Sequence, residues 1–400
     1  MLKVVIINET HAPKMGYLGT VLPKYLARLG LEVHVLATDL SAYHNMDEHK
    51  AGAPAFLVEQ TLPAGTVCSA DGYTVHILRH GRLHGHVYMK GLHKKLREIA
   101  PDIVYSILAI GWIPLQAVYA KVIRGYKLFC GSHTSAMMFP LARDPSPDLG
   151  RLLSAYATRW IPGRIVSYMS KGCYCPTADC GEVAWRFFGM QKKKIKIVHL
   201  GVDGDVFFPA TSQNDKRARA GTRKRLGFSD SDIVCIYTGK MAQMKNPLLL
   251  ARAIERLRAE GRNYKGLFIG DGAQREQVVG MPGCVVVDFM PFVELGEYYR
   301  ASDVAVWLTN ESTSMLDAAA CGIPIIVSDR IYQDHVMGNG LAYRINDLDS
   351  LCESLRVLEN AKVRVEFGRA GAEKMRDRFM WEHAAKARYL DFQAAISGSS

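Results

Sequence analysis

The sequence predicts an α/β protein built from two doubly wound domains in tandem, facing a central cleft. Short apolar strands alternate with amphipathic helical stretches along nearly the whole chain. The alternation breaks at the polar, charged stretch 211–225 (TSQNDKRARAGTRKR) and then restarts. With 400 residues and a hydrophobic fraction of 48%, the chain has enough apolar material for two cores.

The first half opens with a strand at 3–7 and a glycine-bearing loop at 10–20 (THAPKMGYLGT). An amphipathic helix over about 21–29, closed by Gly30, and a strand at 32–37 complete a β–loop–α–β unit. Further apolar strands are expected at 103–105, 127–130, 172–175 and 195–199, with helices at 89–99 and 112–122 between them. The stretch 211–225 reads as an interdomain connection running into a short helix. Beyond it, strands are expected at 233–238, 266–269, 284–289, 304–308 and 323–328, with helices at 247–260 and 293–300. Residues 361–396 read as helical, with Trp381 and Tyr389 suited to packing on a neighbour. The expected units are 1–205, 206–378 and a terminal helix, 379–400.

The charged fraction of 22% is that of a soluble protein, and no apolar run reaches the roughly 18 residues of a membrane span. The opening MLKVVIINET reads as a first strand rather than an export signal. Nine scattered cysteines suit a reducing cytoplasm. Residues 1–200 carry 24 Lys and Arg against 13 Asp and Glu, whereas residues 201–400 carry 26 of each. The whole net charge of +11 therefore sits in the first half, which points to an anionic surface or substrate there, or to a generally basic surface. No nucleic-acid recognition motif accompanies the charge. Cys173, Cys175 and Cys180 lack a nearby fourth ligand for structural zinc and read as buried thiols. Arg79, Arg82 and His84, in a stretch that also holds His80, His86 and His93, are candidates for an acceptor-side contact with an anionic group. The segment 151–169 mixes Arg with Trp, Tyr and Leu, as either an interfacial segment or an ordinary amphipathic helix would.

The stretch 303–329 (DVAVWLTNESTSMLDAAACGIPIIVSD) carries the most chemistry. Strand 304–308 runs into a turn with Glu311, Ser312, Thr313 and Ser314, then a helix of small residues bearing Asp317 and ending at Gly322. Ligands of open parallel sheets sit outside the carboxyl ends of strands, and helix N-termini favour phosphate. A ligand with both hydroxyls and phosphates, such as a nucleotide sugar, fits that set. Strand 233–238 runs into Gly239, Lys240 and Lys245, fixed cations suited to a departing diphosphate. Gly270-Asp271-Gly272 forms a tight turn after the next strand.

The ordered set of strand–G-K-x4-K, strand–G-D-G, strand–F-M-P and strand–E-S-T-S-M-L-D-A-A-A-C-G-I-P resembles the nucleotide-sugar domain of retaining glycosyltransferases of family four. His199-Leu200-Gly201-Val202-Asp203 with Phe207, and Trp381-Glu382-His383 near the end, are similar to further segments of that family. The resemblance implies a GT-B fold of two Rossmann-like domains, with the terminal helix crossing back to pack on the first domain. It implies that Glu311 contacts the donor sugar, Asp317 the ribose hydroxyls, and the N–H groups around Ser314 and Met315 the distal phosphate. Lys240 and Lys245 match the family's basic pair on the diphosphate. Gly16 and Gly19 match its N-terminal glycine loop, and His133 its first-domain histidine on the transferred sugar. Gly239, Asp271, Met290, Ser312 and Thr313 complete the expected donor-binding set. The chain departs from the pattern in four places. Five residues separate Glu311 from Asp317, fewer than in the family. The second carboxylate is Asp rather than Glu, Ser-Thr-Ser replaces a phenylalanine-glycine turn, and Lys240 stands where Arg is usual.

The expected function is transfer of a hexose-type sugar, with retention, from a nucleotide-sugar donor to a hydroxyl acceptor that is anionic or lipid-linked. A UDP-sugar is favoured over a GDP-sugar. His133, Lys240, Lys245 and Glu311 are the expected catalytic residues. No metal or cofactor is expected, nor a nucleic-acid partner. The expected location is cytoplasmic, peripheral on the inner face of a membrane. The alternatives are a nucleotide-sugar epimerase or phosphorylase on the same fold, and a non-catalytic nucleotide-sugar-binding protein.

Overall fold

The fold is described from a computed structural model covering residues 1–41, 61–144, 146–331, 334 and 336–398. Residues 42–60, part of the region expected to recognise the acceptor, lie outside the described residues.

The first half forms strands β1 (Lys3–Thr10), β2 (Glu32–Thr38), β3 (Val67–Ala70), β4 (Tyr73–Leu78), β5 (His80–Leu83), β6 (His86–Met89), β7 (Ile103–Ser106), β8 (Lys127–Gly131), β9 (Cys173–Cys175) and β10 (Ile195–Ile197). Eight of them make one sheet in the order β10-β9-β8-β7-β1-β2-β4-β3, parallel except for β3 on β4. β5 and β6 pair apart from it as a hairpin. The second half forms β11 (Ile233–Thr238), β12 (Tyr264–Ile269), β13 (Cys284–Val287), β14 (Val304–Trp307), β15 (Ile325–Ser328) and β16 (Gly340–Tyr343). These make an all-parallel sheet in the order β13-β12-β11-β14-β15-β16. That is the doubly wound dinucleotide-binding order, and its strand order reverses between β11 and β14. The first sheet reverses in the same way between β1 and β7. Helices cover both faces, so β7, β14 and β15 are buried along their full length and read as unbroken apolar runs.

Three elements differ from expectation. The stretch 211–225 is no linker: Gln213–Arg225 is a helix of the second domain, opened by a capping box between Ser212 and Asp215. Arg219 and Arg223 anchor it to Asp303 at 2.7 and 3.0 Å. The true crossings lie elsewhere. Val202 pairs with Met380 as a lone bridge, through Val202 N–H to Phe379 O at 2.8 Å and Trp381 N–H to Val202 O at 3.1 Å. A side chain at Gly201 would meet the Trp381 backbone nitrogen at 2.4 Å, so glycine is required where the two crossings touch. That bridge also splits 361–396 into two helices, Ala361–Arg378 and Trp381–Ser397. Finally, the expected helix at 89–99 starts at Leu92, because Met89 ends β6 and Gly91, at φ 80°, turns the chain into the helix.

The terminal helix crosses back to the first domain. Trp381, Ala384, Ala385, Phe392 and Ala395 join the core under that sheet with Val4, Ile6, Tyr105 and Phe129. Lys24 and Tyr25, on the first helix (Leu18–Arg28), hold the Asp203 carboxylate at 2.9 and 2.7 Å. Arg28 and Lys24 grip Asp205 and hold its carboxyl down to about 2.

Candidate active site

The two domains touch through the loop that follows β1 and the segment that follows β13. The loop after β1 carries Gly16, and the segment after β13 carries Pro291-Phe292. The Phe292 N–H donates to Lys14 O at 3.0 Å, and a Cβ on Gly16 would meet the Phe292 ring at 2.9 Å. Gly16 is thus needed where the two domains meet. Gly19 lies inside the first helix, and its missing side chain admits Asn8 and Ile107, at 2.3 and 3.2 Å from a Cβ there. Its need is packing within the first domain.

His133 follows β8. It is half-buried as a residue, but its Nε2 is enclosed and has no hydrogen-bond partner among the described residues. Burial, reinforced by the Arg388 guanidinium, pushes its pKa down to about 4, so it is neutral at pH 7. The histidine sits beside Gly131, where a Cβ would lie 2.8 Å from the Tyr105 hydroxyl and 3.0 Å from His133 Nε2.

In the second domain, β11 runs into a loop that carries Gly239, Lys240 and Lys245. Lys245 is half-buried, and burial lowers its pKa. No carboxylate pairs with it among the described residues. Gly270 and Gly272 have φ of 142° and 145°, and a Cβ at either would strike Gly239 O at 2.1 Å or Met241 O at 2.6 Å. The turn's glycines therefore let the loops after β11 and β12 pack backbone to backbone. The Asp271 carboxylate caps this turn by accepting from Gly272 N–H at 2.8 Å through Oδ1.

After β14, Glu311 and Thr313 are exposed, and Ser312 and Ser314 share a hydroxyl contact of 2.6 Å. The following helix, Ser314–Ala320, is short. Its first N–H groups are partly occupied: Met315 donates to Ser312 O at 3.1 Å and Leu316 to Thr313 O at 3.0 Å. A phosphate there would have to share them. The Met290 and Met315 side chains lie in the second-domain core, so only their backbones can face a ligand. Asp317 keeps some surface as a residue, but its carboxyl is enclosed by protein. Burial and then the nearby Asp203 raise its pKa well above the usual carboxylate range.

A model of the family described as Glycosyltransferase Family 4 matches residues 21–206, and one described as Glycosyl transferases group 1 matches residues 232–360. The chain belongs to the GT-B glycosyltransferases of family four. It is 32% identical over 231 residues to a D-inositol 3-phosphate glycosyltransferase of Xylanimonas cellulosilytica, covering 53% of this chain and 54% of the relative. It is 24% identical over 276 residues to spore coat protein SA of Bacillus subtilis, covering 62% of this chain and 73% of the relative. The matched stretch thus spans about half the length of the inositol-phosphate enzymes it first matches, 54% and 51%. Among solved structures, sucrose-phosphate synthase from Thermosynechococcus elongatus superposes with a TM-score of 0.68 at 14% identity, covering 100% of both chains. HepE of Anabaena, solved with UDP and glucose, superposes with a TM-score of 0.65 at 12% identity, covering 98% of this chain and 100% of the other.

In this family-four chain the three acceptor-side candidates lie at the surface. Arg82 and His84 are exposed on the β5–β6 hairpin, whose turn uses His84 and Gly85 at φ 48° and 77°. Arg79 is exposed where β4 meets the hairpin. None of the three lines the small cavity of about 40 Å³ at the ends of β1 and β7; Glu9, His86 and Trp112 do. Trp112 pins the hairpin there by donating to Leu83 O at 2.9 Å. The signal for His86 was strand alternation: on the hairpin, neighbours point to opposite faces. His11, buried beside the first switch point with its Nδ1 unpartnered, was also passed over. Its signal was its place directly behind the first strand. Cys173, Cys175 and Cys180 are free and buried, and no group of three metal-binding side chains assembles among the described residues. No helix among the described residues is long and apolar enough to cross a membrane.

Proposed function

We propose that this chain transfers a hexose-type sugar from a nucleotide-sugar donor to a hydroxyl acceptor, with retention at the anomeric carbon and without a divalent ion. The observation that carries this is Lys245, a half-buried cation with no ion-pair partner among the described residues, at the second switch point beside Lys240. Such a pair suits a diphosphate that gains charge as its bond to the sugar breaks. The hydroxyls of Ser312, Thr313 and Ser314 and the Glu311 carboxylate lie one strand over and suit the donor's sugar. Asp317 suits the ribose hydroxyls, since a carboxyl group has two oxygens with which to bond them. His133, neutral at pH 7, suits a hydrogen bond to the transferred sugar rather than a charge contact.

UDP and glucose in HepE support a UDP-sugar over a GDP-sugar. Inositol 3-phosphate in the relatives' names supports a phosphorylated hydroxyl acceptor, as does the basic first half. The proposed place of work is the inner face of a membrane, where lipid-linked acceptors are presented.

Turnover with UDP- and GDP-hexoses, followed by nucleoside diphosphate release and by NMR of the product's anomeric centre, tests this. The expected result is release of UDP, a product with the donor's anomeric configuration, and no effect of a chelator. An epimerised or phosphorolysed sugar would select the epimerase or phosphorylase alternative. Donor-induced thermal stabilisation with no transfer to any acceptor would select the non-catalytic one.

A further inference from the structure

The chain just beyond His133 presents an apolar face that the fold does not cover. Residues 149–169 form one continuous helical rod: an α-helix Leu149–Ala155, a wider π turn Tyr156–Trp160, and an α-helix Ile161–Met169. An ordinary amphipathic helix would turn its large apolar residues inward. Here the inward positions are small or few, Ala155, Gly163, Val166 and Ser167. The large apolar side chains point out. Leu149 (69% exposed), Leu152 (37%), Leu153 (62%) and Tyr156 (49%) follow the i, i+3, i+4, i+7 spacing of one helix face.

The π turn keeps that stripe in line. An unbroken α-helix would continue the face at positions 160, 164 and 167. The extra residue of the π turn moves it on by one, and the exposed residues are indeed Ile161 (46%), Ile165 (47%) and Tyr168 (77%). Met138, 74% exposed, precedes the rod from a turn that Asp179 fastens by accepting from Ala136 N–H at 2.8 Å. The charge within the rod is positive, with Asp148 capping its start and Asp179 beyond its end. Residues 149–178 contain Arg151, Arg159, Arg164 and Lys171 and no carboxylate. Arg159 lies over the Phe139 ring at 5.4 Å and Arg164 over the Trp160 ring at 5.6 Å, so these cations are held on the aromatic surface.

We propose that this rod docks the protein on an anionic lipid bilayer, its leucines and tyrosines entering the headgroup boundary and its arginines meeting lipid phosphates. A second copy of the chain fits less well, because two such faces would bring like charges together. The rod follows His133 in the chain through two short turns, Ala136–Met138 and Pro140–Ala142, so docking would set the first-domain side of the cleft beside the bilayer. The purpose of this surface rests on the lipid-side acceptor proposed above. Its test does not, since vesicle binding needs neither donor nor turnover.

Cosedimentation of the full chain with vesicles of phosphatidylcholine alone, and of phosphatidylcholine mixed with phosphatidylglycerol, measures it. The expected result is binding to the mixed vesicles only, weakened by salt. Arg151→Gln with Arg164→Gln should lower the partition about fivefold for each arginine removed. Leu149→Ser with Leu153→Ser should lower it about tenfold or more. All four positions are exposed, so the melting temperature and donor response should stay at wild-type values. Wild-type indifference to phosphatidylglycerol overturns the proposal, as do variants that bind like wild type. A wild-type dimer that Leu153→Ser dissociates would assign the face to a second copy instead. If donor binding and transfer fail while vesicle binding holds, the glycosyltransfer reading falls and the docking surface stands.

Discussion

Asp317 shows how much of a residue's chemistry comes from distant parts of the chain. The sequence marks it as the carboxylate ahead of a small-residue helix, but its raised pKa comes from burial and from Asp203, which is distant in the chain. With its folded pKa raised, the native state holds a proton that the unfolded chain gives up near the ordinary carboxylate value. Asp317 therefore lowers stability progressively as pH rises from that value through its folded pKa. Asp317→Asn keeps the shape and removes this loss. The free protein should melt higher than wild type at pH 7, with the gain vanishing towards pH 4, measured by calorimetry across pH. On the proposed ribose role, the same substitution should weaken donor binding by up to roughly tenfold, as for loss of a hydrogen bond. A variant that melts higher and binds donor as wild type does would remove Asp317 from the site. Glu311 differs: it was legible as a carboxylate after a strand, and it remains exposed, as its short turn allows.

Among the elements, the terminal helix ties a buried charge to the candidate site. Arg388 is fully buried and bonds Ala384 O at 2.9 Å through Nη1, while its Nε and Nη2 have no hydrogen-bond partner among the described residues. Its guanidinium lies over the Tyr174 ring at 4.7 Å and the Tyr105 ring at 5.7 Å. Two cation–π contacts contribute about 0.5 to 2 kcal/mol each, against a desolvation cost of several kcal/mol. Arg388→Met should therefore fold no less stably than wild type. Because the Arg388 charge helps depress His133, the His133 ring should titrate higher in the variant, read from its NMR signals. A large loss of stability, or an unchanged His133 titration, would contradict this account. The helix itself was legible, because Trp381 and Tyr389 lie on a long apolar-bearing segment. Its start was not, because the break comes from Val202, far away in the chain. Strands β3 to β6 and β16 were not expected, as their short lengths and polar neighbours mask the alternation that buries Tyr73, Val75 and Ile77. The capping box that makes 213–225 helical was present in the sequence as Ser212 and Asp215, but the charge run hid it.

For the whole molecule, the doubly wound order explains why the candidate residues gather. Reversal of strand order at β1/β7 and β11/β14 makes two switch points, and the contact between Lys14 and Phe292 joins the loop after β1 to the segment after β13. The alternation of strands and helices made that architecture readable before any contact was known. The same burial gives the molecule an acid weakness. His11, His76 and His133 each have a pKa pushed down to about 4, chiefly by burial. An unfolded histidine titrates near about 6.5. As pH falls from that value towards 4, the unfolded chain takes up protons at these sites while the folded chain does not, so stability falls with acidification across this window. Asp317 opposes the trend, because its raised pKa favours the folded state as pH falls. The cleanest measurement is therefore made in the Asp317→Asn background, where the drop in melting temperature between pH 6.5 and 4 should be steeper than in wild type. His76→Gln in that background should flatten the slope, by removing one of the proton-uptake sites on unfolding. A melting temperature independent of pH through this window would mean that the folded protein protonates these imidazoles as readily as the unfolded chain does.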